Sequence, residues 1–306
     1  MLRRLGFVAA VLSKAITTSR TCRLRLATPE RLGELIETNL ASLDAAVGFL
    51  IRNRIKLYRI SSGLIPFASH PVNDVPWRQD FRLQLQSIGR KLRAHDIRVS
   101  LHPGQYTVLN SPRPEVVRAS IAELRYHTAL LDDLGAGPAS KIVLHVGGLY
   151  AGSESAALDR FVAVARELPP EVLRRLVIEN DDRLFDADEV LGVARRLGVP
   201  VVFDWLHHHA NPCRRPVNEV IAEVFETWRP EDGVPKLHLS TQAEGASRGA
   251  HADFVDPKDL LALLECVPDA PFDCMLEAKQ KDIALLRLRR QLARRGIVET
   301  DWVRNT

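Results

Sequence analysis

The chain has 306 residues, four cysteines and a formal net charge of +4 at pH 7, enough length for one well-buried core. Its 46% hydrophobic and 26% charged content is that of a globular protein, and no run approaches the ~20 apolar residues of a membrane-spanning helix, so a membrane protein of that kind is excluded. Cys22, Cys213, Cys266 and Cys274 form no C-x-x-C pair, which excludes a thiolate zinc knuckle or redox dithiol and fits reduced thiols in the cytoplasm, while the mild basicity permits a polyanionic partner without demanding one.

The opening Met1-Leu2-Arg3-Arg4 and the apolar run after it resemble the start of a signal peptide, and equally a buried first strand over residues 5–11. The next residues, Thr17-Thr18-Ser19-Arg20-Thr21-Cys22-Arg23, offer no small-residue cleavage site, so the strand is preferred. Further apolar, β-branched runs follow at 56–60, 98–101, 141–144, 176–178, 200–203, 236–239 and 273–276. Helical stripes lie between them, such as Leu32, Leu35, Ile36, Leu40, Leu43 and Val47. The last stripe is Ile283, Leu285, Leu286, Leu288 and Leu292, and the arginines around it (Arg287, Arg289, Arg290, Arg294, Arg295) read as a solvated face. Eight such repeats predict a parallel α/β fold, a TIM-type (β/α)8 barrel spanning 1–306 as a single domain; a doubly wound open sheet is the alternative. The longest loop follows the second strand and carries Pro66, Pro71 and Pro76, as expected of an ordered segment over the barrel mouth.

Ligand-type residues collect at the ends of these runs. His70 lies in the long loop, and His102, His145, Glu179, Asp204 and Glu277 each close or directly follow a strand. His207-His208-His209 follows Asp204, His238 lies on strand seven and His251 in the loop after it. Eight of the ten histidines fall in such places. In a βα barrel the strand C-termini converge on one mouth, so these residues should meet. Imidazoles with carboxylates suit zinc, manganese or iron, and so many donors suggest two or three ions with Glu179 bridging. Strand order groups His102 and His145 with Glu179, then Asp204, His238 and Glu277 with the same Glu179, then His207 and His251 around a third ion. Lys236 lies two residues before His238 and so faces the same side. An ammonium there would be repelled by dications. A depressed pKa, or conversion to an anionic carbamate by carbon dioxide, would relieve that.

The mouth also carries groups suited to DNA. Gln105-Tyr106 sits in a loop stiffened by Pro103 and freed by Gly104, as an aromatic-amide pair presented at the mouth or with Tyr106 capping the barrel core. Arg20, Arg23 and Arg25 after strand one, Arg214 and Arg215 after strand six, and Arg248 after strand seven are candidate phosphate contacts. A metal-dependent sugar isomerase would share the barrel and the ligand types without needing the exposed Gln-Tyr pair. A non-catalytic DNA-binding barrel would not need the full ligand set.

Several motifs match one family. His102-Pro103-Gly104-Gln105-Tyr106-Thr107-Val108-Leu109-Asn110-Ser111 resembles a signature of the UV damage endonucleases. So do Tyr58-Arg59-Ile60-Ser61-Ser62, Pro66-Phe67-Ala68-Ser69-His70, His145-Val146-Gly147-Gly148, Glu179-Asn180-Asp181-Asp182 and Asp204-Trp205-Leu206-His207-His208. The resemblance covers nearly the whole chain in the family's order. It implies a barrel with a cluster of divalent metals, manganese first, with zinc, magnesium or cobalt as alternatives. It implies cleavage of damaged double-stranded DNA immediately 5′ to a UV photoproduct or abasic site, leaving a 3′-hydroxyl. Carried over, the ligands are His102, His145, Glu179, Asp204, His207, His238, His251 and Glu277, with His208 or His209 open as substitutes for His207. His70 becomes a further active-site histidine, Lys236 the modified lysine, and Gln105 and Tyr106 the lesion probes. The family's Gly-Tyr in strand one is Gly6-Phe7 here, where a lost hydroxyl would change a contact in the lesion pocket. A cytoplasmic enzyme that acts as a monomer is expected, since the outer helices carry no apolar surplus.

Overall fold

The computed structural model describes residues 1–150 and 152–297; the end of the expected 1–306 domain lies outside them. Eight strands alternate with helices: β1 Leu2–Val8, α1 Pro29–Arg52, β2 Leu57–Arg59, α2 Trp77–Asp80, α3 Arg82–Ala94, β3 Arg98–Ser100, α4 Pro114–Asp133 and β4 Ile142–His145. Then come α5 Glu154–Arg166, α6 Pro170–Leu173, β5 Leu176–Glu179, α7 Ala187–Leu197, β6 Val201–Asp204, α8 Trp205–Ala210, α9 Val217–Glu226, β7 Lys236–Leu239, α10 Pro257–Cys266, β8 Phe272–Leu276 and α11 Lys281–Ala293. The strands run parallel in the order β3-β2-β1-β8-β7-β6-β5-β4. A parallel bridge between Leu101 and Ile142 joins the two ends, so the sheet is a nearly closed barrel and not an open one.

Helix boundaries follow local chemistry. Thr28 caps α1 by accepting from the Arg31 amide, with Pro29 in the first turn. Asp186 and Glu189 make a reciprocal capping box on α7, and Gly198 ends it in the left-handed conformation. Strands are covered on both faces and read as nearly continuous apolar runs. Alternate residues point to the helices or to the barrel axis. Phe7 packs on Phe49 of α1 and on Tyr58, and is fully buried there. That corrects one expectation: position 7 faces the helix layer, so a hydroxyl there could not line a lesion pocket.

Two further expectations are corrected. The first strand starts and ends three residues earlier than 5–11. Ala9, with φ of 61°, turns the chain out of the sheet, and Val11 instead bridges Ile16 around a short 3-10 turn. The buried Asp282 carboxylate holds that turn by accepting from the Leu12 and Ser13 amides. Arg4, which resembled the charged start of a leader, lies inside the barrel base, where Arg4 and Arg98 both meet the fully buried Asp273 at 3.4 and 2.9 Å. Nor is the last helix a wholly solvated basic face. Arg289 is buried and donates to the carbonyls of Asn53 and Arg54, while Arg287 lies over the Phe254 ring. These two side chains dock α11 on the barrel; Arg290, Arg294 and Arg295 are exposed.

Candidate metal centre

The inward-facing residues at the strand ends meet at the mouth. Glu179, last in β5, is at the centre. Its Oε2 is 2.9 Å from His102 Nε2 and 3.3 Å from His145 Nε2, and its Oε1 contacts His238 Nδ1. His102, His145 and Glu179 form one set of donors; Glu179, Asp204, His238 and Glu277 form a second. Within each set the donor atoms lie within 4.8 Å of one another, and Glu179 belongs to both.

His207 and His251 stand at the rim of this cluster. Their ring centroids are 6.2 Å apart, and His207 is 5.6 Å from His145. Neither belongs to the two sets. Each presents Nδ1 to a backbone carbonyl, Asn180 at 3.0 Å for His207 and Glu277 at 2.6 Å for His251. His102 does the same to Pro103 at 3.2 Å. Only a protonated Nδ1 satisfies a carbonyl, so Nε2 is left as the ligand atom in all three, the arrangement by which a second layer of contacts orients metal-binding histidines. His208 packs on Phe203 and His209 on Trp205, so of the three consecutive histidines His207 alone is next to His145.

The donor set fits divalent cations. Asp204 caps α8 with Oδ1, accepting from the His207 amide at 2.8 Å, while its buried Oδ2 has no hydrogen-bond partner among the described residues. His145 Nδ1 is likewise buried and unpartnered. Buried polar atoms left this way carry a desolvation cost that a bound ion would remove. The Arg59 guanidinium reaches two members of the second set, donating to Glu277 and lying 2.9 Å from His238 Nε2. A cation among these carboxylates is therefore already favourable.

Burial lowers His238 to about 4, against the pull of Glu179, so it is neutral and ready to ligate. Burial also lowers His102, with Glu179 opposing. His207 goes the other way: burial is outweighed by Asp204, Glu179, the Asn180 carbonyl and Glu277, which lift it to about 9. Glu179 is held well below the usual carboxylate range, because His238, His145 and His102 more than offset its burial. Glu277 is also held low, chiefly by Arg59 against burial. Lys236 lies two residues before His238 on β7, 1% exposed, with no hydrogen-bond partner for Nζ among the described residues. Burial, with Arg59 and Arg98 nearby, pushes it well below its ordinary value despite Glu179 and Glu277.

The other expected residues lie outside the two donor sets. His70 is exposed, accepts from the Val72 amide and packs edge-on to Phe67, outside both donor sets. Gln105 and Tyr106 are exposed at the tip of their loop, Tyr106 at 83%. Arg23, Arg25, Arg214 and Arg248 are exposed; Arg20 is half-buried against Thr17 and Ser42. Arg215 is already engaged by Asp188 and Glu223. Two residues were missed by sequence reasoning. Arg59 is inward because Tyr58 beside it faces α1, an alternation that was readable. Asn180 is fully buried and brackets Asp204, accepting from its amide at 2.8 Å and donating to its carbonyl at 3.1 Å. Its signal was its place directly after Glu179.

Known proteins share the sequence and the fold of this chain. A family model described as UV-endonuclease UvdE matches residues 3–301. A UV DNA damage endonuclease of Bacillus velezensis is 36% identical over 311 residues, covering 97% of this chain and 96% of the relative. Another, from Clostridium perfringens, is 35% identical and covers 93% of this chain and 69% of the relative. The crystal structure of SacUVDE superposes with a TM-score of 0.89 at 35% identity, over 97% of this chain and all of that one. Endonuclease IV from Thermus thermophilus, at 16% identity and a TM-score of 0.57, covers 95% of this chain and 99% of that one, and shares the fold.

Proposed function

Because this chain belongs to the UV-endonuclease UvdE family, we propose that it is a metal-dependent DNA repair enzyme that nicks the phosphodiester immediately 5′ to a UV photoproduct or abasic site and leaves a 3′-hydroxyl. The observation that carries the reading is Glu179 shared between two donor sets at the barrel mouth. Two or three divalent ions held there, manganese first and zinc, magnesium or cobalt as alternatives, would lower the pKa of a bound water and neutralise the phosphate oxygens. His102, His145 and Glu179 would hold one ion, and Asp204, His238, Glu277 and the same Glu179 a second. His207 and His251 would hold a third, for which His207 would have to be neutral.

Around them the chain binds and orients. Asn180 fixes Asp204 through both backbone groups. His70, on the exposed loop, reaches the substrate phosphate from above. Arg20, Arg23, Arg214 and Arg248 grip phosphates along the duplex, with Arg215 bracing its loop through Asp188 and Glu223. Gln105 and Tyr106 enter the stack where damage has weakened it. The enzyme works as a monomer in the cytoplasm, at the nucleoid; no helix among the described residues is long and apolar enough to cross a membrane.

The deciding experiment is nicking of a 5′-labelled duplex with one photoproduct, with manganese and then with chelator. One metal-dependent cut just 5′ to the lesion, ending in a 3′-hydroxyl, is expected. Metal-loaded protein that leaves the duplex intact would move the reading to an isomerase-type barrel.

Lys236 belongs to the same proposal. Its buried, partnerless amine adds to carbon dioxide: an N–C bond forms, one proton leaves to water, and the carbamate presents anionic oxygens to the cluster. Magnesium-loaded protein equilibrated with ¹³C-labelled carbon dioxide should show a carbamate resonance absent from Lys236→Met. A spectrum identical in the two proteins would end this assignment.

A further inference from the structure

Lys281 goes against three local preferences at once. It opens α11, where the positive end of the helix dipole disfavours a cation. Its φ of 46° puts a long side chain in the left-handed region, which suits glycine or asparagine. Its ammonium is half-buried, with no hydrogen bond or ion pair among the described residues. Positions at which several local preferences fail together are expected where function outweighs stability.

Its surroundings call for an anion. Lys281 follows Glu277 by four residues, and the segment between them is fastened along its length. The Glu277 amide donates to the Leu239 carbonyl, the Lys279 amide to Ala252 and the Gln280 amide to Asp253, each at 3.0 Å, and the Lys281 amide to Ala278 at 3.2 Å. Ala252 and Asp253 directly follow His251, whose Nδ1 meets the Glu277 carbonyl. The ammonium is near enough to the second donor set to feel it: burial lowers its pKa, Glu277 opposes that and Arg59 adds to it. Glu277 answers the charge only in part, since its carboxylate is already paired with Arg59 and faces His238. Asp282, the next residue, is turned to the Leu12 and Ser13 amides. Lys281 is thus a fixed cation beside the second donor set with no anion of its own.

We propose that Lys281 is a catalytic residue of the nicking reaction, its ammonium donating to a non-bridging oxygen of the scissile phosphate on the Glu277 side of the centre. The inference rests on the repair reading above. In that reaction a water oxygen bonds to phosphorus, the phosphorus–O3′ bond breaks, and one water proton ends on the leaving 3′ oxygen. Negative charge gathers on the non-bridging oxygens on the way. A cation held in place beforehand meets that charge without reorganising, which is where a fixed group gains most over a mobile one. The backbone angle of Lys281 and the bonds that fasten its loop are what hold it there.

The test is single-turnover nicking of a photoproduct duplex by metal-loaded wild type, Lys281→Met, Lys281→Arg and Lys281→Asn. Lys281→Met should lower the maximal rate about 100-fold, with the half-saturating enzyme concentration within about threefold of wild type. Lys281→Arg, which keeps the charge, should recover about tenfold of that loss. Lys281→Asn, uncharged but suited to the left-handed angle, should lose as much rate as Lys281→Met while melting at or above the wild-type temperature. Metal bound per chain should match wild type in all three. A Lys281→Met rate within about threefold of wild type would overturn the proposal. So would a loss confined to saturation, which marks a grip on phosphate outside the reacting centre, a loss that follows metal content, or lower melting temperatures in both uncharged variants. Wild-type enzyme that leaves the duplex uncut is a different result: it removes the repair reading, and the substrate of Lys281 with it.

Discussion

Glu179→Gln is expected to lower nicking by roughly a thousandfold, about 4 kcal/mol of barrier, while the barrel stays folded. The reason is geometric. Each Glu179 oxygen serves a different set of imidazoles, Oε2 those of His102 and His145 and Oε1 that of His238. An amide of the same size keeps one oxygen and turns an NH2 towards the other set. One donor set therefore loses its anion, and both lose the shared charge. Metal bound per chain should fall in the same variant. Stability is a separate matter, since Glu179 is buried and a neutral side chain is easier to bury. Melting in chelator should stay within about 5 °C of wild type. A rate near wild type, with full metal content, would show that the two sets do not work through this carboxylate.

Tyr106→Ala should cost about 10- to 100-fold in kcat/KM on a lesion duplex, the loss of one base-aromatic stack. Almost nothing else should change. Tyr106 is 83% exposed, so its removal should alter stability by less than about 0.5 kcal/mol. Binding to undamaged DNA, if carried by the arginine-phosphate contacts proposed above, should be unaffected. Tyr106→Phe should keep most of the activity, because a ring face is enough to stack. An alanine variant that still discriminates damaged from undamaged duplex would remove the residue from lesion recognition.

Much of this molecule was legible before any coordinates, for a physical reason. A parallel barrel buries both faces of each strand, so its strands stand out as short apolar runs, and its catalytic groups must sit where those runs end. His102, His145, Glu179, Asp204, His238 and Glu277 were all found by that rule. The failures had causes of a different kind. The first strand was misplaced because residues 9–11 are as apolar as a strand; what ends the pairing is a backbone angle at Ala9. Arg289 was read as solvated, and Arg4 as the charged start of a leader, because charge in a sequence carries no sign of its partner. Asp273 for Arg4, and the carbonyls of Asn53 and Arg54 just after α1 for Arg289, come from remote positions. Arg59 was passed over because an arginine on an apolar strand is rare. Once Tyr58 is seen to pack outward, period-two alternation leaves Arg59 inside.

The seam between β3 and β4 ties architecture to chemistry. It is held by the Leu101 amide on the Lys141 carbonyl at 3.0 Å, the Val143 amide on the Leu101 carbonyl at 2.9 Å, and the Leu101–Ile142 bridge. His102 follows the seam residue on one side, and His145 ends the strand on the other. A slip of one residue at this join would send side chains to the opposite face. The two imidazoles would then no longer share an oxygen of Glu179. Correct registration of the last join in the barrel and assembly of the first donor set are thus a single geometric condition. A chain that closed out of step would carry its own defect as a broken active centre.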